Sequence, residues 1–178
     1  ADAAVWERIA RALAARSAHI AIDTGGAVLL QLLRHLADPA RGPVVPVAFV
    51  KPNRAELEEL AGHALPTLAD VATAAQALCR DHGVRQLAVS LGGEGAVIAT
   101  ADACWQAAAP RVPVATTVGA GDALVAGTLA ALAQGQPMPG AATFGMACAA
   151  ARIQRIAPGL PPRREVDALA AAIVAVPL

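Results

Sequence analysis

The sequence predicts a single domain with an α/β fold and a mainly parallel sheet, and two observations support this prediction. Short apolar runs that suit buried strands alternate with stretches of helical periodicity. The chain has 178 residues, of which 56% are hydrophobic, enough to bury the core of a single domain spanning 1–178. In such folds, ligands bind at the carboxyl ends of the strands.

The spacing of hydrophobic residues predicts each helix and strand along the chain. Apolar residues three and four apart predict helices, continuous apolar runs predict strands, and Gly or Pro clusters predict turns. The predicted order is a helix on Val5, Ile9 and Leu13, strand 18–23, helix 27–36, loop 38–43, strand 45–50, helices 54–60 and 67–81, strand 85–91, a GGEG turn, strand 96–100, edge strands 104–108 and 112–116, and helices 121–134, 140–155 and 164–175.

Composition excludes several functions. Lys plus Arg (14) equals Asp plus Glu (14), so no global charge favours nucleic acid or a membrane surface. Aromatic residues make up only 2%, which disfavours stacking on single-stranded nucleic acid, and no apolar stretch reaches the length of a membrane span. Cys79, Cys104 and Cys148 lack metal-site spacing, so we expect buried thiols in a reducing, cytoplasmic compartment.

The first polar motif is KPNRAEL, residues 51–57, which follows the second predicted strand. Glu56 comes three residues after Asn53 and so projects from the first helical turn on the same side. Two interpretations stay open. Asn53 and Glu56 form a capping box, which contributes about 1 kcal/mol to a helix, or they bind a ligand.

The second motif is SLGGEGA, residues 90–96. Its glycines permit positive φ and let another group approach the backbone closely. A nucleotide phosphate would suit such a loop, but a tight hairpin suits it better when the motif is taken alone. A P-loop is excluded, because no Gly-Lys-Ser/Thr follows.

The third motif is TTVGAGDALVAG, residues 116–127, at the start of a long apolar helix. Gly119, Ala120 and Gly121 leave backbone N–H groups uncovered there, which suits a phosphoryl group. Asp122 follows in the first turn. An Asp that only complemented the helix dipole would not need flanking glycines, which destabilise helices. The motif therefore favours a ligand site.

Phosphoryl transfer accounts for these motifs together. The reaction requires hydrogen-bond donors around the moving phosphoryl, a cation to neutralise its oxygens, and a base near the attacking hydroxyl. The helix start supplies the donors, and Asp122 is the candidate base. Glu56 with Asn53 would hold hydrated Mg²⁺, which takes only one or two protein carboxylates beside phosphate oxygens.

The order of KPNxxEL, SLGxxG and TVGAGD resembles the ribokinase-like, or PfkB, family of carbohydrate kinases, and especially its sugar-phosphate branch. The resemblance runs from about residue 23 to about residue 160, and GAGD is its most specific part. It implies a ribokinase-like three-layer α/β/α fold with a mainly parallel sheet, of which this chain is the C-terminal, nucleotide-binding part.

The resemblance also implies a reaction. Asp122 would be the catalytic base, Gly119, Ala120 and Gly121 the anion hole, and Glu56 the residue acting through Mg²⁺. ATP and fructose 1-phosphate would give fructose 1,6-bisphosphate and ADP, with Asp122 taking the proton of the 6-hydroxyl. Fructose 6-phosphate and tagatose 6-phosphate are alternative substrates within the branch.

The remaining motif residues would bind the nucleotide by the same resemblance. Ser90, Gly92 and Gly95 would line the ATP phosphates and ribose, with Lys51 and Asn53 near the phosphates. The adenine pocket is expected from the helix around 144–151, where no polar residue is assigned.

The chain also departs from the family pattern. Thr116 stands where members commonly carry Asp, and the family's opening strands, sugar contacts and lid, which often builds a homodimer, have no counterpart here. We therefore expect a piece of a longer protein with little catalysis by itself, an inactive nucleotide-binding fragment being the alternative. A dinucleotide-binding module is disfavoured, because neither DTGG nor SLGGEG spells GxGxxG.

Overall fold

A computed structural model describes residues 2–157, 159 and 161–178. Ala1, Pro158 and Leu160 lie outside the described residues, and with Leu160 so does the end of the family resemblance. The chain divides into two compact units. Unit one comprises Ala1–Val89 and Ala99–Cys104, and unit two comprises Ser90–Ile98 and Trp105–Leu178. That 1–178 is a single domain stays a prediction.

Helices and strands alternate along the described chain, which confirms the predicted α/β class. No described helix combines the length and the hydropathy that crossing a bilayer demands. The helices are α1 (Ala3–Ala14), α2 (Gly26–Ala37), α3 (Arg54–Ala61), α4 (Leu68–His82), α5 (Ala120–Ala133), α6 (Met138–Ile153) and α7 (Arg163–Ala172). The strands are β1 (Ile20–Ile22), β2 (Val47–Val50), β3 (Leu87–Ser90), β4 (Ala96–Ala99), β5 (Cys104–Ala107) and β6 (Ala175–Pro177).

Parallel strands form the centre of unit one. β1, β2 and β3 lie side by side in that order, with Ile20 opposite Val47 and Val50 opposite Leu87. β2 is continuously apolar and β3 is apolar up to Ser90, rather than alternating, as expected for parallel strands covered on both faces. The largest fully buried side chains of this unit are Phe49, Leu29, Leu33, Leu36, Leu57, Leu65 and Leu87.

Helix α1 forms where the periodicity predicts it, but its large apolar side chains face solvent. The buried face consists of Ala3, Glu7 and Ala10, two small residues and one carboxylate. The exposed fractions of Val5, Trp6, Ile9 and Leu13 are 50%, 44%, 43% and 43%. The pattern thus predicts the helix and its apolar stripe without showing which way the stripe faces.

Unit two differs from the predicted elements at two places. The predicted edge strand over 112–116 is wrong, because this segment is irregular, and its described backbone bonds to the rest of the unit run from Ala115 and Thr116 to the Ile153 carbonyl. Pro110 and Pro113 lack the N–H groups that a ladder needs. Strand β6, which the sequence did not predict, pairs antiparallel with β5.

Glycines bring α5 and α6 of unit two into close contact. A Cβ atom on Gly127 of α5 would lie 2.7 Å from Cys148 Sγ on α6. In the other direction, a Cβ atom on Gly145 of α6 would lie 2.5 Å from the Leu124 carbonyl oxygen of α5. Real Cβ atoms do not occupy such spaces, so both positions require glycine. This packing fixes α5, whose N-terminus carries the GAGD motif.

Candidate active site

The GAGD motif forms the N-terminus of α5. Gly119 is the N-cap, at φ +81° and ψ +6°, and it provides no side chain to cap the helix. The Ala120 N–H already donates to the Thr117 carbonyl at 3.2 Å. Within the described chain, the N–H groups of Gly121 and Asp122 have no protein acceptor. The Gly119 N–H likewise has no acceptor among the described residues, so Gly119 and Gly121 of the predicted donors are available to an anion, together with Asp122, whereas Ala120 is not.

The Asp122 side chain lies in the first turn of α5 and is exposed. In the described part of the chain, no hydrogen bond or ion pair occupies its carboxylate. A carboxylate in this position complements the positive end of the helix dipole. It is also free to accept a proton from a bound hydroxyl, as a general base must be.

A cavity of about 540 Å³ lies within unit two, next to the start of α5. It brings together five residues that the sequence singles out from two separate motifs: Ser90, Gly92, Gly95, Ala120 and Gly121. Its size falls within the range of small-molecule sites, and its lining is mostly apolar with few polar groups. Arg111 is the one formally charged side chain among the described lining residues.

The geometry of the glycine loop at 92–95 is compatible with both interpretations of the sequence, a phosphate-binding loop and a tight turn. Gly92, at φ +61°, and Gly93 both have open space where a Cβ atom would stand, so the loop backbone is accessible from the cavity. At Gly95, whose φ is +111°, glycine is also required for packing. A Cβ atom there would collide with the Ala107 carbonyl oxygen and lie 2.8 Å from the Ala109 N atom.

Sequence reasoning missed one wall of the cavity and assigned no individual residue of another. One is the irregular segment 109–114, predicted in part as a strand. The other is the face of α6 formed by Met146, Ala149, Ala150 and Ile153. These residues lie within or next to the helix 144–151 that was expected to supply an adenine pocket. Their spacing of three and four residues indicates that they share one face of the helix, but such spacing is also typical of ordinary core packing.

The KPNRAEL motif lies in unit one at the start of α3. Asn53 Oδ1 accepts from the Glu56 N–H at 2.8 Å, and Glu56 Oε2 accepts from the Asn53 N–H at 2.7 Å. The capping box is thus present. Lys51 is buried, and its Nζ lies 3.8 Å from Asp23 Oδ1. Whether these residues also bind a ligand stays a prediction.

The fit of Glu56 to a magnesium ion rests on its surroundings. A Cβ atom on Gly25 would lie only 2.6 Å from Glu56 Oε1, so the glycine makes room for this carboxylate. The described residues contain no cluster of three or more His, Cys, Asp and Glu side chains that could form an all-protein metal cage. Mg²⁺ needs no such cage when phosphate oxygens and water complete its shell. A single oriented carboxylate therefore fits.

Comparison with known proteins identifies the family of the chain. The profile of the pfkB family of carbohydrate kinases matches residues 11–164. The chain therefore belongs to the pfkB family of carbohydrate kinases.

The relatives and structural neighbours are sugar kinases. The chain is 38% identical over 125 residues to 1-phosphofructokinase of Escherichia coli (strain K12), covering 70% of this chain and 40% of that protein. It is 39% identical over 153 residues to 1-phosphofructokinase of Rhodobacter capsulatus, covering 86% and 45%. The chain thus spans less than half the length of these curated relatives.

Two solved structures confirm the ribokinase-like fold. Phosphofructokinase-2 from Escherichia coli, in complex with substrates and products, superposes with a TM-score of 0.83 at 26% identity, covering 97% of this chain and 53% of that one. Arabidopsis thaliana ribokinase, complexed with ribose and ATP, gives 0.77 at 25% identity, covering 94% and 52%.

Proposed function

We propose that this chain forms the ATP-binding, base-carrying part of a sugar-phosphate kinase that converts fructose 1-phosphate and ATP to fructose 1,6-bisphosphate and ADP. One observation carries the proposal. A single cavity is lined by the glycine loop at 92–95 and by the start of α5, directly before the exposed carboxylate of Asp122. Apolar walls suit a nucleobase, and bare amides suit its phosphates.

The nucleotide would enter with its base against the apolar walls, between 109–114 and the Met146 face of α6. The triphosphate would then run past Gly92 and Gly93, where no side chain blocks the backbone. Its terminal group would meet the N–H groups of Gly121 and Asp122. Fixed donors at this point stabilise the charge that develops on the moving phosphoryl group.

Asp122 would take the proton of the sugar hydroxyl as that oxygen attacks. The carboxylate is exposed and has no partner among the described residues, so the proton has an open acceptor. A positioned general base contributes about 10²- to 10⁴-fold to a rate. Asn at this position would keep the shape and lose the basic oxygen.

Magnesium would be bound by a residue of unit one. Glu56, oriented by Asn53, would bind the hydrated ion, and Lys51 would lie near the phosphates. When bound, such an ion would neutralise phosphate oxygens and so favour attack of the sugar hydroxyl on the γ-phosphorus, with ADP as the leaving group.

The names of the Escherichia coli and Rhodobacter capsulatus relatives support fructose 1-phosphate as the acceptor. Fructose 6-phosphate is the alternative favoured by the resemblance to phosphofructokinase-2 from Escherichia coli in complex with fructose 6-phosphate, and tagatose 6-phosphate is a further candidate. We further propose a cytoplasmic enzyme, which suits three cysteines that form no disulfide among the described residues, and a homodimer formed through parts outside this chain.

A second candidate is a nucleotide-binding chain without turnover. It is favoured by the span of the match, which is 40% of the Escherichia coli relative. Positioning the acceptor and excluding water both require a complete site, and a misplaced acceptor loses most of the rate.

The test is ADP release by this chain with ATP, Mg²⁺ and each of the three sugar phosphates. Fructose 1-phosphate should give the highest rate, and Asp122→Asn should lower it at least about 100-fold without weakening ATP binding. Asp102→Asn, which changes another carboxylate outside the site, is the control and should leave the rate unchanged. Turnover that survives Asp122→Asn would exclude the base assignment, and ATP binding without turnover would favour the second candidate.

A further inference from the structure

A cation lies against the glycine that begins α5. Arg152, on the last turn of α6, has its Nε 3.3 Å from where a Cβ atom of Gly119 would stand. A Cβ atom at residue 119 would therefore require the guanidinium to shift by a few tenths of an ångström. Gly119 thus does more than adopt a positive φ, because its lack of a side chain lets a positive charge approach the backbone of the GAGD motif.

Arg152 has no carboxylate partner in the described part of the chain. Its Nη1 donates to the Arg155 carbonyl at 2.6 Å, which fixes the position of the group without neutralising its charge. Arg155, three residues on, differs in this respect, because its guanidinium pairs with Glu165. Two arginines at the same helix end therefore have different roles, one paired and one oriented with its charge uncompensated.

We propose that Arg152 is part of the anion site: it supplies a positive charge beside the bare amides of α5 and binds the phosphate oxygens of ATP there. This inference rests on the proposed function, which places phosphates at the start of α5. A guanidinium presents several donors in a planar fork and forms strong charge-assisted bonds with phosphate. Held half-buried by Gly119 and the Arg155 carbonyl, it loses little freedom on binding.

The experiment measures equilibrium binding of ATP and of adenosine, with Mg²⁺, to this chain and to Arg152→Met, Arg152→Lys and Arg155→Met. Arg152→Met keeps the length of the side chain and removes the charge. ATP binding should weaken about tenfold, the loss expected for one charge-assisted hydrogen bond, while adenosine binding stays within about twofold. Arg152→Lys should recover part of the loss, and raising the salt concentration should narrow the difference between wild type and Arg152→Met.

Arg155→Met is the matched control, since it removes a guanidinium and an ion pair from the same helix end. It should lower the melting temperature without changing ATP binding. The proposal fails if Arg152→Met binds ATP as tightly as wild type does, or if ATP and adenosine weaken by the same factor, which indicates a structural role. If wild type binds neither ligand, the proposed function fails, and this inference with it.

Discussion

Gly119 and Gly62 have almost the same backbone conformation in different surroundings. Gly119 lies at φ +81° and ψ +6°, and Gly62, which caps the C-terminus of α3, lies at φ +78° and ψ +11°. A Cβ atom on Gly62 would meet nothing within 4 Å, whereas one on Gly119 would press on Arg152. Alanine at Gly62 would therefore meet only the conformational cost of a positive φ, whereas alanine at Gly119 would also have to move Arg152.

We expect Gly119→Ala and Gly62→Ala each to lower the free energy of unfolding by about 1 kcal/mol, because alanine tolerates a positive φ poorly. Only Gly119→Ala should weaken ATP binding. Denaturant unfolding and equilibrium binding measure the two effects. Equal ATP affinity in both variants would contradict the assignment of Gly119 to the anion site.

Glu7 is the main buried charge of α1. It accepts hydrogen bonds from Arg11, Arg41 and His35, at distances from 2.8 to 3.2 Å. The bonds from Arg41 lower the pKa of Glu7 most, burial opposes them, and Arg11 and His35 lower it further, to about 2 from 4.5. The cluster ties α1 to α2 and to the turn at Pro39–Arg41.

The depressed pKa sets the direction of a pH effect. Since the folded state holds the charged form more strongly, the stability from Glu7 is complete above about pH 4.5 and is lost as the pH falls towards 2. Glu7→Gln should lower the free energy of unfolding at pH 7 by about 2 kcal/mol, because it leaves arginines unpaired.

Unfolding of wild type and Glu7→Gln between about pH 2 and pH 7 measures this effect. The difference between them should shrink as the pH falls below 4.5. Glu165→Gln, which removes a half-exposed ion pair with Arg155, serves as the control and should change stability by less than about 1 kcal/mol. A difference that stays constant with pH would contradict the account of Glu7.

At the scale of elements, the packing of α5 on α6 depends on small residues. Gly145 and Gly140 both belong to α6, yet a Cβ atom on Gly145 would contact Thr128 Oγ1 and come within 3.0 Å of the Thr128 N atom, whereas one on Gly140 has 3.6 Å to its nearest neighbour. Thr128 Oγ1 is itself buried without a described hydrogen-bond partner. The interface therefore has no spare space at Gly145.

We expect Gly145→Ala to lower the free energy of unfolding by about 1–3 kcal/mol, the usual cost of overpacking. Gly140→Ala should instead raise it, by about 0.5 kcal/mol, because alanine is the better helix former. Thermal or denaturant unfolding of the two variants measures both changes in the free energy of unfolding. Tolerance of alanine at both positions would show that α5 and α6 can move apart.

The sequence predicts most elements because their patterns are local. The capping box of Asn53 and Glu56 follows from spacing alone, and so do the helices of both units. Segment 112–116 was assigned wrongly because its alternating apolar residues suggest a strand, while Pro113 prevents a regular ladder. Strand β6 was missed because three residues at the end of a chain carry too little pattern.

The sequence predicts those residues of the candidate site that belong to short motifs, and it does not predict those that only the fold brings to the cavity. Asp122 and the glycine motifs stand out in the sequence, whereas Met146 and Ile153 resemble any core residues until the fold places them at a cavity. The orientation of α1 was also beyond the sequence, because only tertiary contacts show that Glu7 faces inward and Trp6 outward.

At the scale of the whole molecule, the chain has a formal net charge of zero and spans 40% to 53% of the relatives and neighbours compared above. Binding of an anion therefore depends on local geometry rather than on a global field. The central claim is that one end of unit two forms this geometry, with apolar walls for a base and bare amides for phosphates.

The most direct test is a crystal structure of the chain with Mg²⁺ and a non-hydrolysable ATP analogue. We expect the base to lie between 109–114 and α6, and the terminal phosphate to accept hydrogen bonds from the N–H groups of Gly121 and Asp122. An analogue bound in the cavity of unit one next to Leu57, His63 and His82, or with its phosphates away from α5, would contradict it.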